Sequence, residues 1–327
     1  MARIPGHELA DGIAACVAAP ARSQKAANTP SGWSVESGTV AELVAHLLTQ
    51  CIKLDSMKSE EVRPVKLHRR HVNLDGRAFT VLTLRPSTDY RYATNYFHET
   101  WHVLTDPAGA WLLGRLCWSL AFQRQRGTIV VIDHPLLVPN PFDADKSSPI
   151  VIANADLAPL NRTAITQLKR FLAQKKPSEG TVRLATSGLD RLLAADPAGD
   201  LLELQQQNSG VWWNDHQRRG WTDRVNGVVV LAAPPPVLQW WAIWLSQLGS
   251  HWYQGSDYTE LDHPTTRRGE GEVQVFASFA TMVTEAMATR ERLFPGVPHR
   301  ELLDDERRAV WAELPASTAE SQGESGR

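Results

Sequence analysis

His98-Glu99-Thr100-Trp101-His102 is the stretch of this chain best equipped to do chemistry, because it matches the pattern H-E-x-x-H. On an α-helix that spacing sets two imidazoles on one face, where they can hold a zinc ion. The adjacent glutamate then serves as general base toward a metal-bound water. A catalytic zinc also needs a third protein ligand and an open position for water. Asp106 is the only acidic residue between His102 and Asp133, and no glutamate follows the motif until Glu179. Asp133 and His134 are the candidates to complete the shell, since they follow an apolar strand that could return to the motif.

Other catalytic patterns are partial. In open α/β sheets ligands bind outside the carboxyl ends of strands, which selects Asp133 and His134, Asn154 and Asp156, and Thr186 and Ser187. Ile129 to Asp133 has the form of an apolar strand ending in a magnesium-holding aspartate. No Gly-Lys dipeptide exists in the chain, however, so the phosphate-binding loop of nucleotide hydrolases is absent. There is no G-x-S-x-G elbow either. Ser187 is read as a turn residue capping a short helix over Leu189 to Ala194.

Two clusters could serve recognition. Lys66 to His71 reads Lys-Leu-His-Arg-Arg-His, and alternation makes it the wet face of an edge strand, where charge also blocks aggregation. Trp212, Trp213, Arg218, Arg219 and Trp221 sit together in an apparent loop, diluted by Asp215 and Asp223. Arginine beside exposed aromatic rings can stack bases or grip phosphate. The chain carries 12 tryptophans. Trp240, Trp241 and Trp244 cannot all face one core, because neighbours on a helix point about 100° apart. At least one of Trp240 and Trp241 should lie off the main stripe, and exposed tryptophan is enriched in protein interfaces.

These residues need elements to position them. Thr39 and Glu42 form a capping box, and Val40 to Leu48 follow helical spacing. Val65 to Val72 and Phe79 to Leu84 read as strands joined by a turn that ends in Asp75-Gly76. Tyr90 to Leu104 is read as the helix carrying the paired histidines. Asp106 and Pro107 then cap and start an apolar helix over Ala108 to Phe122, buried on nearly every face. Short β-branched runs follow at Thr128 to Ile132, Ile150 to Ala153, Thr181 to Ala185 and Val228 to Leu231. A helix lies between them over Leu160 to Lys175. Helices are also expected over Val237 to Trp252 and from Phe276 through Met287. Buried strands alternating with helices imply an α/β fold with a mixed or mostly parallel sheet flanked by helices.

Composition bounds the rest. The chain has 327 residues, 43% of them hydrophobic and 21% charged, with a formal net charge of -2. That balance gives no general attraction to nucleic acid or an anionic membrane. Cys16, Cys51 and Cys117 are neither a disulfide framework nor a zinc ribbon, which suits a reducing cytoplasm. Arginine-rich, lysine-poor usage suggests a bacterial source. Ile13-Ala14-Ala15-Cys16 has the form of a lipobox, but Glu8 and Asp11 interrupt the apolar stretch that a signal needs. No apolar run spans a membrane. The expected organisation is a short helix and linker over 1–35, one large α/β domain over 36–313, and a disordered tail over 314–327. The favoured expectation is a cytoplasmic, non-catalytic accessory component that needs no cofactor. It would work through another protein chain on a Trp-rich surface that includes Trp240. The alternative is a zinc-dependent hydrolase using His98, Glu99 and His102. Nucleic-acid binding is the weaker reading.

Overall fold

A computed structural model describes residues 65–97, 100–195, 221–250, 252, 255–261, 271–297 and 302–314. The expected N-terminal helix, the linker and the C-terminal tail lie outside them. Two compact units partition the chain. One joins Pro64–Thr186 to Gly210–Arg327, and the other joins Met1–Arg63 to Ser187–Ser209. The second unit is described only over helix α3 (Ser187–Ala195). Everything below concerns the first.

Its centre is a seven-stranded mixed sheet in the order β7-β1-β2-β5-β6-β9-β8. The strands are β1 (Val65–Leu74), β2 (Arg77–Leu84), β5 (Thr128–Ile132), β6 (Ile150–Asn154), β7 (Gly180–Leu184), β8 (Trp221–Val225) and β9 (Val228–Ala233). The β1–β2 hairpin forms where the sequence implies it. Asp75 and Gly76 both take positive φ, 51° and 73°, the conformation a two-residue hairpin turn requires. β5 and β6, the β-branched runs, are fully buried.

Pairing fixes the strand directions. β2 and β5 are parallel, β5 and β6 antiparallel, and β6 and β9 parallel. β1 is antiparallel to both β2 and β7, and β8 to β9. The C-terminal ends of β2, β5, β7 and β8 therefore share one edge of the sheet. The C-terminal ends of β6 and β9 lie at the opposite edge.

Helices cover both faces. α2 (Arg162–Ala173) starts from Asn161, whose Oδ1 accepts the Ala164 N–H at 2.8 Å. It buries Ile165, Leu168, Phe171 and Leu172 against Val81, Ile129, Val131, Val151 and Val230. α1 (Pro107–Ala121) and α4 (Pro235–Gln247) pack together, and α1 also contacts β5 and β6. Asp106 caps α1 through Gly109 N–H at 2.7 Å, and Pro107 fills its first turn. The helix is buried on almost all sides, as its apolar composition implies. Where α1 crosses α4 a glycine is required: a Cβ on Gly114 would stand 2.7 Å from the Ala242 carbonyl oxygen.

A second sheet has the order β10-β11-β4-β3. Its strands are β3 (Tyr92–Phe97), β4 (Thr100–Thr105), β10 (Ser256–Glu260) and β11 (Gly271–Phe276). The helix expected over Tyr90 to Leu104 is thus a β-hairpin, paired from Tyr92↔Thr105 to Phe97↔Thr100. Tyr92, Thr94, Tyr96, Phe97, Trp101, Val103 and Thr105 are β-branched or aromatic, and they suit a pleated, half-buried surface better than a helix. α5 (Phe279–Leu293) buries Phe279 and Val283 against Ala93 and Leu104 of this hairpin. α6 (Asp304–Glu313) packs on α5.

Candidate functional site: a basic cleft at the end of the large sheet

The β5 strand leaves the sheet at Asp133 and the chain returns only at Pro149, to enter β6. That excursion forms one wall of a cleft of about 980 Å³. The cleft occupies the edge where β2 and β5 end, so it obeys the strand-end rule. β1 and β2 contribute His68, Arg70, Thr83 and Leu84. The excursion contributes residues 133–139 and 146–149, α2 contributes Lys169, Leu172 and Ala173 with Lys175 in the turn after it, β8 contributes Arg224, and the β8–β9 turn contributes Gly227.

Charge in the cleft is lopsided. Arg70, Lys146, Lys169, Lys175 and Arg224 line it, with His68 and His134, against one carboxylate, Asp133. In a chain of net charge -2, this is a concentration of positive charge in a concave site, where low-dielectric walls focus the field. Among the described residues no carboxylate forms an ion pair with Arg70, Lys146, Lys169 or Lys175. Lys169 Nζ donates to the Asn226 carbonyl at 2.9 Å, which pins α2 to the β8–β9 turn. His68 is held below the ordinary histidine range, first by burial and then by Arg85 and Arg70. It therefore stays neutral more readily than a free imidazole.

The cleft wall is fixed from behind. Ser147 Oγ donates to Val138 O at 2.5 Å, and Thr94 N–H donates to Ser147 Oγ at 3.0 Å. The buried Asp145 carboxylate accepts from Arg290 at 3.2 Å, from Arg307 at 2.6 Å and from Leu302 N–H at 2.8 Å. These bonds tie the excursion to α5 and α6. Beside them Asp143 is almost fully buried, with a pKa pushed up to about 6. Desolvation is the main cause, and the Asp145 charge adds to it. The Asp145 N–H, Arg307 and Arg290 pull the other way without prevailing.

Of the H-E-x-x-H stretch, Thr100, Trp101 and His102 lie on β4 and not on the expected helix. His98 and Glu99 fall outside the described residues. His102 lies on β4, nearly buried, with Nε2 3.8 Å from Glu272 Oε2 on the parallel neighbour β11. Glu272 is raised above the ordinary carboxylate range, chiefly by burial. Asp133 and His134 line the basic cleft, to which His102 does not contribute. Among the described residues no three His, Cys, Asp or Glu side chains converge as a metal would need.

The other predicted positions separate similarly. Asn154 ends β6 and Asp156 follows it, so both sit at the opposite edge from Asp133. There Asn154 donates to the Leu120 carbonyl at 3.3 Å and accepts the Asp156 N–H. Thr186 accepts from Arg115, at 3.0 Å and 2.5 Å. Trp212, Trp213, Arg218 and Arg219 lie outside the described residues, and Trp221 opens β8. On α4, Trp241 is buried and Trp240 half-buried, the split that helical geometry demands of adjacent positions.

Sequence reasoning placed Lys66 to His71 on an edge strand. β1 is instead flanked by β7 and β2, and its register sets His68 and Arg70 opposite Thr83 and Val81, on the face shared with α2. Lys146, the Lys169 and Lys175 pair, and Arg224 carried no local signal, because they come from three separate parts of the chain. The second unforeseen feature is an aromatic surface at the end of the β3–β4 hairpin. Tyr96 and Trp101 rings lie 4.6 Å apart, Phe97 meets Trp311 edge-on at 6.1 Å, and Arg224 stacks on Trp101 at 4.9 Å.

Fold and site together define a mixed α/β protein with a cation-lined cleft at the strand ends of its larger sheet. No protein-family profile, curated protein or solved structure matches the chain.

Proposed function

We propose that the chain is a non-catalytic accessory component whose working part is this cleft, where it binds an anionic ligand. The observation that carries the reading is the set of five lysine and arginine side chains, drawn from four segments, around a concave site with one carboxylate. A wall anchored through Asp145 supports it, because a preorganised site loses less freedom on binding. The zinc-hydrolase alternative has less support. It relies on a helical turn between His98 and His102, and His102 stands on a strand beside Glu272.

A second reading concerns protein contact. Tyr96, Phe97 and Trp311 are exposed by 50%, 44% and 39%, which favours a partner surface there; Trp212 and Trp213 lie outside the described residues. Binding at that surface would use side chains and not strand addition. The outward N–H groups of edge strand β3 are already taken: Tyr92 donates to Leu136 O, Thr94 to Ser147 Oγ and Tyr96 to Asn95 Oδ1.

Calorimetric titration with inorganic tripolyphosphate tests the main reading. Binding is expected at low salt, weakening as ionic strength rises. The double variant Lys169→Ala/Lys175→Ala, with one exposed lysine on α2 and the other in the turn after it, should lose about tenfold or more in affinity. Absence of binding by the unaltered protein would overturn the proposal.

A further inference from the structure

The cleft is more than a charged surface, and its lining restricts the kind of anion it takes. Between the cations run Leu84, Pro86, Leu136, Leu137, Val138 and Leu172, with further prolines at 135, 139 and 149. Histidine is the only aromatic side chain among the lining residues. A site built for single-stranded nucleic acid combines positive charge with aromatic platforms on which bases stack. Such rings exist nearby, as Tyr96, Phe97 and Trp311, but they are not part of the lining. A volume of about 980 Å³ sits at the upper end of the roughly 300–1,000 Å³ range of small-molecule pockets. A bare phosphate would leave most of that space, and all of its aliphatic wall, unused.

From this combination we infer that the ligand is a small amphipathic anion, an acidic group on an aliphatic body. The acidic group meets the cations of α2, β1 and β8, and the body lies along the proline- and leucine-lined wall. This inference rests on the anion-binding reading and narrows it to a ligand class. The placement of the cations supports it. Lys146, Lys169 and Lys175 are exposed, while Leu84, Leu136 and Leu172 are nearly buried. Charge outside and hydrocarbon inside is the arrangement expected for a ligand with one wet and one dry end.

Titration of the full chain with inorganic phosphate, butyl phosphate, hexyl phosphate and octyl phosphate, each below its micelle concentration, tests the inference. Affinity should rise along the series by up to about fourfold per methylene, the equivalent of ~0.8 kcal/mol for each buried CH₂. Octanol, which lacks the charge, should not compete. Ala173 is an exposed lining residue on α2, so Ala173→Trp can fill the cleft without disturbing the core. That variant should keep a wild-type circular dichroism spectrum while losing the chain-length dependence, so that octyl phosphate binds no more tightly than butyl phosphate. Equal affinity along the series, competition by octanol, or tighter binding of oligothymidylate than of octyl phosphate would overturn the inference and leave the anion site standing. Failure of every anion, tripolyphosphate included, would remove the site itself.

Discussion

Asp143 provides the sharpest quantitative test of how the cleft wall is held. Its carboxyl is nearly inaccessible, and its pKa is pushed from the ordinary 3.8 to about 6 by desolvation. A shift of about 2 units corresponds to roughly 3 kcal/mol. The folded pKa lies above the unfolded one, so protonation favours the folded state. That contribution is fully present below about pH 4 and is lost as pH rises through about 6. Above pH 6 the protein carries a buried charge that Arg307, 4.0 Å away, offsets only in part. Asp143→Asn removes the charge and keeps Oδ1 as acceptor for the Asp145 N–H, now at 3.0 Å. At pH 7.5 the variant should be more stable by up to about 3 kcal/mol, roughly 6–12 °C in Tm for a domain of this size. Thermal melts of both proteins from pH 4 to pH 8 isolate the residue, since other titrating groups cancel in the difference. The gap should be small near pH 4, open between pH 4 and 6, and level off above. A variant that is less stable at every pH would refute the argument, because it would mean that the Arg307 contact outweighs desolvation.

Three further outcomes follow from the packing. Asp145→Asn takes a buried carboxylate away from both Arg290 and Arg307. It should cost about 3–5 kcal/mol in urea denaturation and speed hydrogen exchange at residues 136–148; a loss under about 1 kcal/mol would count against the anchor. Gly114→Ala brings a methyl to within 2.7 Å of the Ala242 carbonyl. It should force α1 from α4 at about 1–3 kcal/mol, and unchanged stability would contradict that close approach. Cys117 is fully buried, with its thiol pushed up to about 12. In a Cys16→Ser/Cys51→Ser background it should react with a disulfide reagent at pH 8 only as fast as the protein unfolds, and rapid labelling would show the core to be open there.

The elements that were legible in the sequence are those whose signal is local. Asp75-Gly76 specifies a two-residue turn because a hairpin of right-handed strands needs two positive φ angles. Asp106-Pro107 starts a helix because an oxygen acceptor and a fixed φ are supplied at its first turn. The runs at 128–132 and 150–153 are buried strands because nothing charged interrupts them. The hairpin over 92–105 was not legible, because the histidine spacing suggests a helical period while β-branched and aromatic residues favour a pleat. β4 pairs with β11, which lies far along the chain, and that long-range pairing completes a four-stranded sheet no local window contains.

The sequence by itself determined the class of fold, the mixed sheet with helices on its faces, and the separate strands and turns that compose its centre. It also supplied every charge in the cleft, but with no sign that they belong together. Arg70, Lys146, Lys169 and Arg224 lie far apart along the chain, and only strand order brings them to one edge. The parallel run of β2 and β5 against β6 sets Asp133 at that edge and Asn154 at the other. Tertiary structure decided the site because electrostatic focusing depends on distance in space, and the sheet topology alone converts these scattered positions into neighbours.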